Sequence, residues 1–368
     1  MSLKIVAKDS QSSARAGIFT TPHGEVRTPA FMPVATKGSV KTISTLELHQ
    51  LQTEAIIANA LHLFMRPGLE NFQLYGGLHQ FMRWDKTIFT DSGGFQIIRK
   101  SFKMTKSDKG LHFRDFFNGR AHVYTPELCM EMQKALGSDV AMLLDDCPKH
   151  DASKTSMAES IERTIAWSKR GMEHGRALGI PLLFAITQGG VHDDLRQWCT
   201  EELEKFGPDG YGIGGLSIGE SKEKMIEVLQ KSTHWLPENK VRYLMGVGSF
   251  MEILEAIGAG VDFFDSTFPT QCARHGTIFT GRGRYNMRGQ KLEKDLRPLD
   301  EDCSCWVCAE YTRAYVNHLL REKEMLGMRL ASYHNLHFTL QLVREARRAI
   351  VDGTFAAFAK EWGRIEKK

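Results

Sequence analysis

Near its C-terminus the chain reads CSCWVC, which sets Cys303, Cys305 and Cys308 within six positions, and histidines follow at 318, 334 and 337. Three thiolates at Cys-x-Cys-x2-Cys spacing plus one imidazole form a Cys3His donor set, the chemistry of tetrahedral zinc. Four protein ligands leave no open position for an activated water, so such a metal is structural and any reaction must run on other groups. Spacing alone does not choose among His318, His334 and His337. Seven cysteines are an odd number, and three so close together do not suit ordinary bridges, which points to a reducing compartment.

Those other groups are carboxylates. Asp91 ends the run KTIFTD and opens SGG, where bare backbone can bring N–H groups close to a ligand. Asp265 ends VDFFD. A carboxylate in that position can attack an electrophilic sugar carbon or steady an oxocarbenium ion, and a second can move the proton, so the two form a glycosyl-transfer pair in principle. Taken singly, either is equally suited to cap the helix that follows. Ser92, Asp145 with Asp146, Gln188 and the Gly214–Gly215 pair add acceptors, an amide and bare backbone, a set that suits a planar heterocycle. Phe95 and Met245 are placed either to sandwich a flat ring or to pack in the core.

Positioning these groups requires a scaffold that presents strand ends together. Eight apolar runs occur at 28–35, 54–60, 86–91, 139–146, 181–188, 211–217, 241–248 and 261–267. Between them lie amphipathic stretches, clearest at 125–137, 156–179 and 220–233. Near-continuous apolar strands alternating with helices make a parallel α/β sheet, either an open doubly wound sheet or a (β/α)8 TIM barrel. Polar residues or glycines recur at the C-terminal ends of the runs (Asp91 with Ser92, Asp145, Gln188, Gly215, Gly246, Asp265), where barrel enzymes build their sites, and this favours the barrel. The expected organisation is a barrel core over 1–270 and a C-terminal portion over 271–368. That portion carries the zinc-binding subdomain and closing helices at about 307–326 and 337–365.

Charged residues at 25% and an AVILMFWYC content of 42% are ordinary globular values and exclude a disordered or disulfide-scaffold class. With no long apolar run and no apolar leader, a soluble cytoplasmic protein is expected. The net charge of +4 conceals an uneven distribution. Residues 99–120 hold seven basic side chains (Arg99, Lys100, Lys103, Lys106, Lys109, Arg114, Arg120) against two acidic ones. Residues 271–300 hold seven more (Arg274, Arg282, Arg284, Arg288, Lys291, Lys294, Arg297) against three. Each segment follows a strand carrying one candidate catalytic Asp. They are therefore expected to contact nucleic-acid phosphates, with Phe102, Phe113, Phe116, Phe117 and Tyr285 available for stacking; two solvated loops are the alternative.

The strings TPAFMPVAT (28–36), GGLHQFMRWDKTIFTDSGGFQ (76–96), GSDVAMLLDDCP (137–148), QGG (188–190), GYGIGGLSIGE (210–220), YLMGVG (243–248) and FDSTFPT (264–270) precede CSCWVC and HNLHF (334–338). In this order they resemble the bacterial-type tRNA-guanine transglycosylases over nearly the whole chain. The resemblance implies a (β/α)8 barrel with an inserted zinc subdomain. It also implies exchange of guanine at the first anticodon position of tRNA for a 7-deazaguanine base.

By the same resemblance Asp265 is the nucleophile on ribose C1′ and Asp91 the general acid/base. Ser92, Asp145, Gln188 and Gly215 hydrogen-bond the base, Leu216 supplies backbone beside Glu220, and Phe95 and Met245 are the stacking walls. Val34 and Cys147 match the pair lining the pocket of enzymes that take 7-aminomethyl-7-deazaguanine (preQ1) rather than bulkier queuine. His334 becomes the fourth ligand of one structural Zn2+, Arg274 an RNA contact, and a homodimer the expected assembly. Ala60, Leu61, Asp146, Pro148 and Gln271 depart from the family pattern. Queuine or another nucleic acid as substrate, a barrel glycoside or zinc hydrolase, and a non-catalytic RNA-binding subunit are the competing readings; the presence of both Asp91 and Asp265 argues against the last.

Overall fold

The computed structural model describes residues 2–95, 104–115 and 117–365. Arg99, Lys100, Phe102, Lys103 and Phe116, expected among the RNA contacts, lie outside the described residues. Three antiparallel strands come first: β1 (Leu3–Lys8), β2 (Arg15–Thr21) and β3 (Gly24–Thr28). The parallel sheet then begins with β4 (Ala30–Pro33), β5 (Ala55–Asn59) and β6 (Thr87–Asp91). An antiparallel insertion follows, β7 (Thr105–Ser107), β8 (Gly110–Arg114) and β9 (Ala121–Tyr124). The parallel sheet resumes with β10 (Val140–Met142), β11 (Leu182–Thr187), β12 (Gly210–Ile213), β13 (Val241–Leu244) and β14 (Phe263–Ser266).

Seven of the eight parallel strands fall within the apolar runs of the sequence, and β12 starts one residue before its run, at Gly210. Their order is β4-β14-β13-β12-β11-β10-β6-β5. A parallel bridge between Val34 and Ile57 joins the two ends, with Ala35 N–H donating to Ile57 O at 2.7 Å. The result is a nearly closed eight-stranded barrel rather than an open sheet.

Period-two alternation divides each strand between two environments. Met32, Ile57, Phe89, Val140, Met142, Phe184, Ile186, Val241, Tyr243 and Phe263 fill the barrel interior. Their neighbours, among them Ile56, Ile88, Leu183, Ile213, Leu244 and Phe264, pack outward against the helices. Burial on both faces accounts for the near-continuous apolar runs.

The β1–β3 sheet, which the sequence reading did not single out, closes the bottom of the barrel. Leu3, Phe19 and Val26 belong to the interior cluster, and the Phe19 ring lies 5.5 Å from Phe263. Arg15 ties this sheet to the barrel through Asp262, donating from Nε at 2.9 Å and Nη2 at 2.6 Å. With the bottom plugged, the mouth is the end where β6 finishes in Asp91 and β14 in Asp265 and Ser266.

The clearest expected helices form as Pro126–Leu136, Lys154–Ala177 and Lys222–Trp235. The first has Thr125 accepting from Leu128 N at its start and a left-handed Gly137 at its end, the signals that delimit a helix. The closing helices differ from expectation. The segment expected at 307–326 is split into Trp306–Glu310 and Arg313–Arg321 because Thr312 starts a new helix by capping Tyr315 N. Beyond it, Met325–Val351 forms one long helix that begins earlier than expected and stops before Gly353 (φ 68°), and Phe355–Ile365 is separate. The long helix packs against β4 and the helix Phe268–Arg274. A hairpin, β15 (Thr277–Thr280) and β16 (Gly283–Asn286), leads into the cysteine cluster. No described helix is long and apolar enough to cross a membrane.

Candidate active site and metal centre

Continuing the inward-facing parity by two residues beyond the interior cluster arrives at Val34, Asn59, Asp91, Gln188, Met245 and Asp265. Six strands therefore deliver one side chain each to the mouth by alternation alone. Asn59 and Asp91 are register partners on β5 and β6, and Asn59 Nδ2 donates to Asp91 Oδ2 at 2.5 Å. Asn59 Oδ1 meanwhile accepts from His62 N at 3.0 Å, so the helix start fixes the amide's orientation. Burial, reinforced by the negative charge of Asp265, pushes Asp91 up to about 6 despite the donors around it.

Asp265 is held from one side. Tyr243 Oη donates to its Oδ1 at 2.6 Å and Gly246 N–H donates to the same atom at 2.8 Å. Oδ2 has no hydrogen-bond donor among the described residues. Burial raises this carboxyl and the two donors oppose the rise.

Beside them sits a buried polar cluster. Asp145, 4% exposed, accepts from Gln188 Nε2 at 2.7 Å and from Ser92 Oγ at 3.5 Å. Burial first, then the charges of Asp91 and Asp146, push Asp145 up to about 7. Two glycines permit the close approach: a Cβ at Gly94 would lie 2.2 Å from Asp145 Oδ1, and one at Gly215 (φ +65°) would lie 2.6 Å from Gln188 Oε1. Leu216 is buried next to Gly215. Glu220 accepts from Ser217 N and from Ile218 N, closing the loop after Leu216. Val34 and Met245 pack on the interior cluster, Cys147 is buried, and Phe95 is half-buried just beyond Ser92. Burial pushes the Cys147 thiol up, as do Asp145 and Asp146, so it is held neutral rather than as a nucleophilic thiolate.

Asp146 faces away from this pocket. It is fully buried and accepts from Lys106 Nζ at 2.7 Å and Arg163 Nη1 at 2.6 Å. Lys106, counted among the basic side chains, thus anchors β7 to the barrel. Phe113, expected to be available for stacking, is buried in the core instead, because β8 turns that face inward. Tyr285 Oη donates to Leu299 O at 2.7 Å, and the Arg313 guanidinium lies over its ring. Phe117 remains 53% exposed with Arg66 over its ring. Arg282 and Arg284 are exposed, the latter over Phe250 and Phe268, while Arg274 and Arg288 are half-buried.

The metal donors converge as the sequence implied. The ligand atoms of Cys303, Cys305, Cys308 and His334 all lie within 4.8 Å of one another. His334 Nδ1 is 3.6 Å from Cys305 Sγ and 3.3 Å from Cys308 Sγ, against ~3.5 Å for an S···N edge of tetrahedral zinc. His334 Nε2 lies 2.7 Å from Phe279 O, and donating there leaves Nδ1 to the metal. His318 is exposed and His337 lies outside the group. The donor set fits one structural Zn2+.

Sequence reasoning missed Tyr243, Asn59 as a partner of Asp91, and Arg196, a buried cation on the helix Asp193–Glu204. Parity would have found the first two, since Tyr243 is two residues before Met245 and Asn59 ends β5 as Asp91 ends β6. No sequence signal marked Arg196.

A family profile described as "Queuine tRNA-ribosyltransferase" matches residues 9–368. The chain belongs to this family. Named relatives agree over nearly full length: a queuine tRNA-ribosyltransferase of Fusobacterium nucleatum is 44% identical over 357 residues, 96% of each chain. One of Bacillus velezensis is 46% identical over 360 residues, 98% of this chain and 94% of its own, and one of Bacillus subtilis is 45% identical over 359 residues with the same shares. Membership in the queuine tRNA-ribosyltransferase family makes the chain a glycosyltransferase-type enzyme, which agrees with paired carboxylates at a barrel mouth and a closed metal site away from them.

Proposed function

We propose that the chain exchanges guanine at the first anticodon position of tRNA for a 7-deazaguanine base, preQ1, by double displacement through Asp265. The observation that carries this reading is the one-sided hold on Asp265. With Oδ1 pinned by Tyr243 and Gly246, Oδ2 is the atom presented to a sugar carbon. Oδ2 attacks ribose C1′, the C1′–N9 bond breaks, and the departing guanine takes a proton from the Asp91 carboxyl. The incoming base then gives its N9 proton to the Asp91 carboxylate, N9 bonds to C1′, and Asp265 leaves. Two inversions retain configuration. A group poised at about 6 can serve as both donor and acceptor near neutral pH.

Ser92, Asp145, Gln188 and Gly215, with the backbone of Leu216, supply the donors and acceptors for the base, and Phe95 and Met245 its walls. Glu220 fixes the loop that carries Leu216. Val34 and Cys147 line the side that receives the 7-substituent, and their bulk favours preQ1 over queuine. Arg274, Arg282, Arg284 and Arg288 neutralise tRNA phosphates. The target base leaves its stack at least cost in a single-stranded loop. Cys303, Cys305, Cys308 and His334 would hold Zn2+, which would staple the C-terminal portion, 271–368, internally beside the barrel of 1–270 and take no part in the exchange. A homodimer accounts for apolar side chains left exposed near the metal portion, such as Met325 at 81%. Seven cysteines, none of them in a disulfide, suit the cytoplasm.

Incubation of unmodified tRNA with labelled guanine, preQ1 or queuine tests the reading. Incorporation of guanine and preQ1 is expected, and equal or better use of queuine would overturn the base assignment.

A further inference from the structure

Beneath the base pocket, the helix Asp193–Glu204 sends one side chain inward. Arg196 is 1% exposed. Its Nε donates to Gly190 O at 2.6 Å and its Nη2 to Gly214 O at 2.8 Å. Gly190 lies in the loop after β11 that begins with Gln188, and Gly214 opens the loop after β12 that presents Gly215. One guanidinium therefore ties together the two loops that flank the base site.

The fit leaves no slack. A Cβ at Gly189 would lie 2.7 Å from Arg196 N, and the Cβ position at Gly215 is 2.6 Å from Gln188 Oε1 and 3.7 Å from Arg196 Nη2. Gly215 is thus in contact range of both Gln188 and the guanidinium. Glu220 and Asp193 act on Arg196 only through their charge, without an ion pair among the described residues, and its buried Nη1 has no hydrogen-bond partner. Burial depresses the guanidinium to about 10. A buried cation without an ion pair is costly to a fold. What the planar fork supplies is reach to two carbonyls at a fixed angle, which an ammonium cannot match.

We propose that Arg196 is a positioning residue for base recognition. It sets the spacing between Gln188 and Gly215 across the pocket and so governs affinity for the free base rather than tRNA binding. This rests on the base-exchange reading above.

The test is steady-state exchange by the full chain with guanine varied at saturating tRNA, and the reverse, for wild type, Arg196→Lys and Arg196→Met. Amide hydrogen exchange across residues 188–190 and 214–217 and calorimetric guanine binding are measured alongside. Both variants are expected to raise the guanine KM and Kd by roughly ten-fold or more, leave the tRNA KM within about two-fold, and speed amide exchange in these two loops. Rescue by Arg196→Lys, parallel rises in both KM values, or unchanged loop exchange would each overturn the proposal. If Arg196→Met does not fold, Arg196→Lys alone decides. Absence of exchange by wild type would sink the base-exchange reading alone, since loop exchange and guanine binding still report on the clamp.

Discussion

The Tyr243 phenol donates a 2.6 Å hydrogen bond to Asp265 Oδ1, from a strand position that is otherwise part of the barrel's aromatic interior. The contact joins core to chemistry: Tyr243 packs against Phe89 with ring centroids 6.1 Å apart, and its hydroxyl reaches the mouth. A packed ring fixes its hydroxyl more rigidly than a solvent-exposed one, so the carboxylate is oriented before substrate arrives.

Tyr243→Phe removes one of two donors to Asp265 and keeps the ring. Losing a hydrogen bond to a charged group predicts a fall in kcat of roughly ten-fold or more, with little change in tRNA KM. An unchanged kcat would show that Gly246 alone suffices.

Asn59→Ala removes a donor that favours the charged form of Asp91, so the Asp91 carboxyl should rise further above about 6. If Asp91 is the acid that expels guanine, as proposed, it must be protonated, and the descending limb of kcat/KM for tRNA should move to higher pH. The lost helix cap adds about 1 kcal/mol of destabilisation, measurable separately by thermal unfolding. A limb that stays in place or moves down would contradict the role of Asp91.

Asp145 carries the opposite of a stabilising shift. Its folded-state value of about 7 lies above the ordinary 3.8. Its contribution to stability is therefore fully present below pH ~4 and is lost as pH rises through about 7. Asp145→Asn removes this penalty, so the variant should be more stable than wild type at pH 8 by up to roughly 4 kcal/mol, similar to it at pH 4, and impaired in base binding. A destabilised variant at pH 8 would mean that Asp145 stays charged at little cost.

Cys308→Ser breaks the Cys3His set. One zinc per chain is expected by elemental analysis of wild type, with loss of metal and a lower Tm in the variant, because structural zinc contributes folding energy. A metal-free wild type of unchanged Tm would contradict a structural metal.

Arg282→Ala and Arg284→Ala should each weaken tRNA binding and reduce the slope of log K against log salt by about 1. A flat salt dependence in the unaltered chain would remove these side chains from the RNA surface.

Much of this was legible in the sequence because the barrel imposes period-two alternation, and the same alternation that buries Phe89 and Phe263 aims Asp91 and Asp265. The cysteine spacing announced the metal set for a similar reason, since chemistry so local leaves a local pattern. What could not be read was non-local. Arg196 sits on a helix and donates to the backbone carbonyls of Gly190, six residues before it, and Gly214, eighteen residues after it, and Lys106 finds Asp146 across 40 residues. Phe113 looked free for stacking because charge dominates its segment, yet β8 alternates and buries it. The sheet of β1–β3 escaped notice because its strands show one buried face in short, mixed stretches.

On the proposed mechanism, Asp265 forms a bond to ribose. The direct measurement is a denaturing gel of the full chain mixed with labelled tRNA and quenched during turnover, followed by peptide mapping of any slower-migrating species. A tRNA adduct mapped to Asp265 in wild type, absent from Asp265→Asn, is the predicted result. Guanine exchange of equal rate in both proteins, or an adduct on another residue, would contradict it.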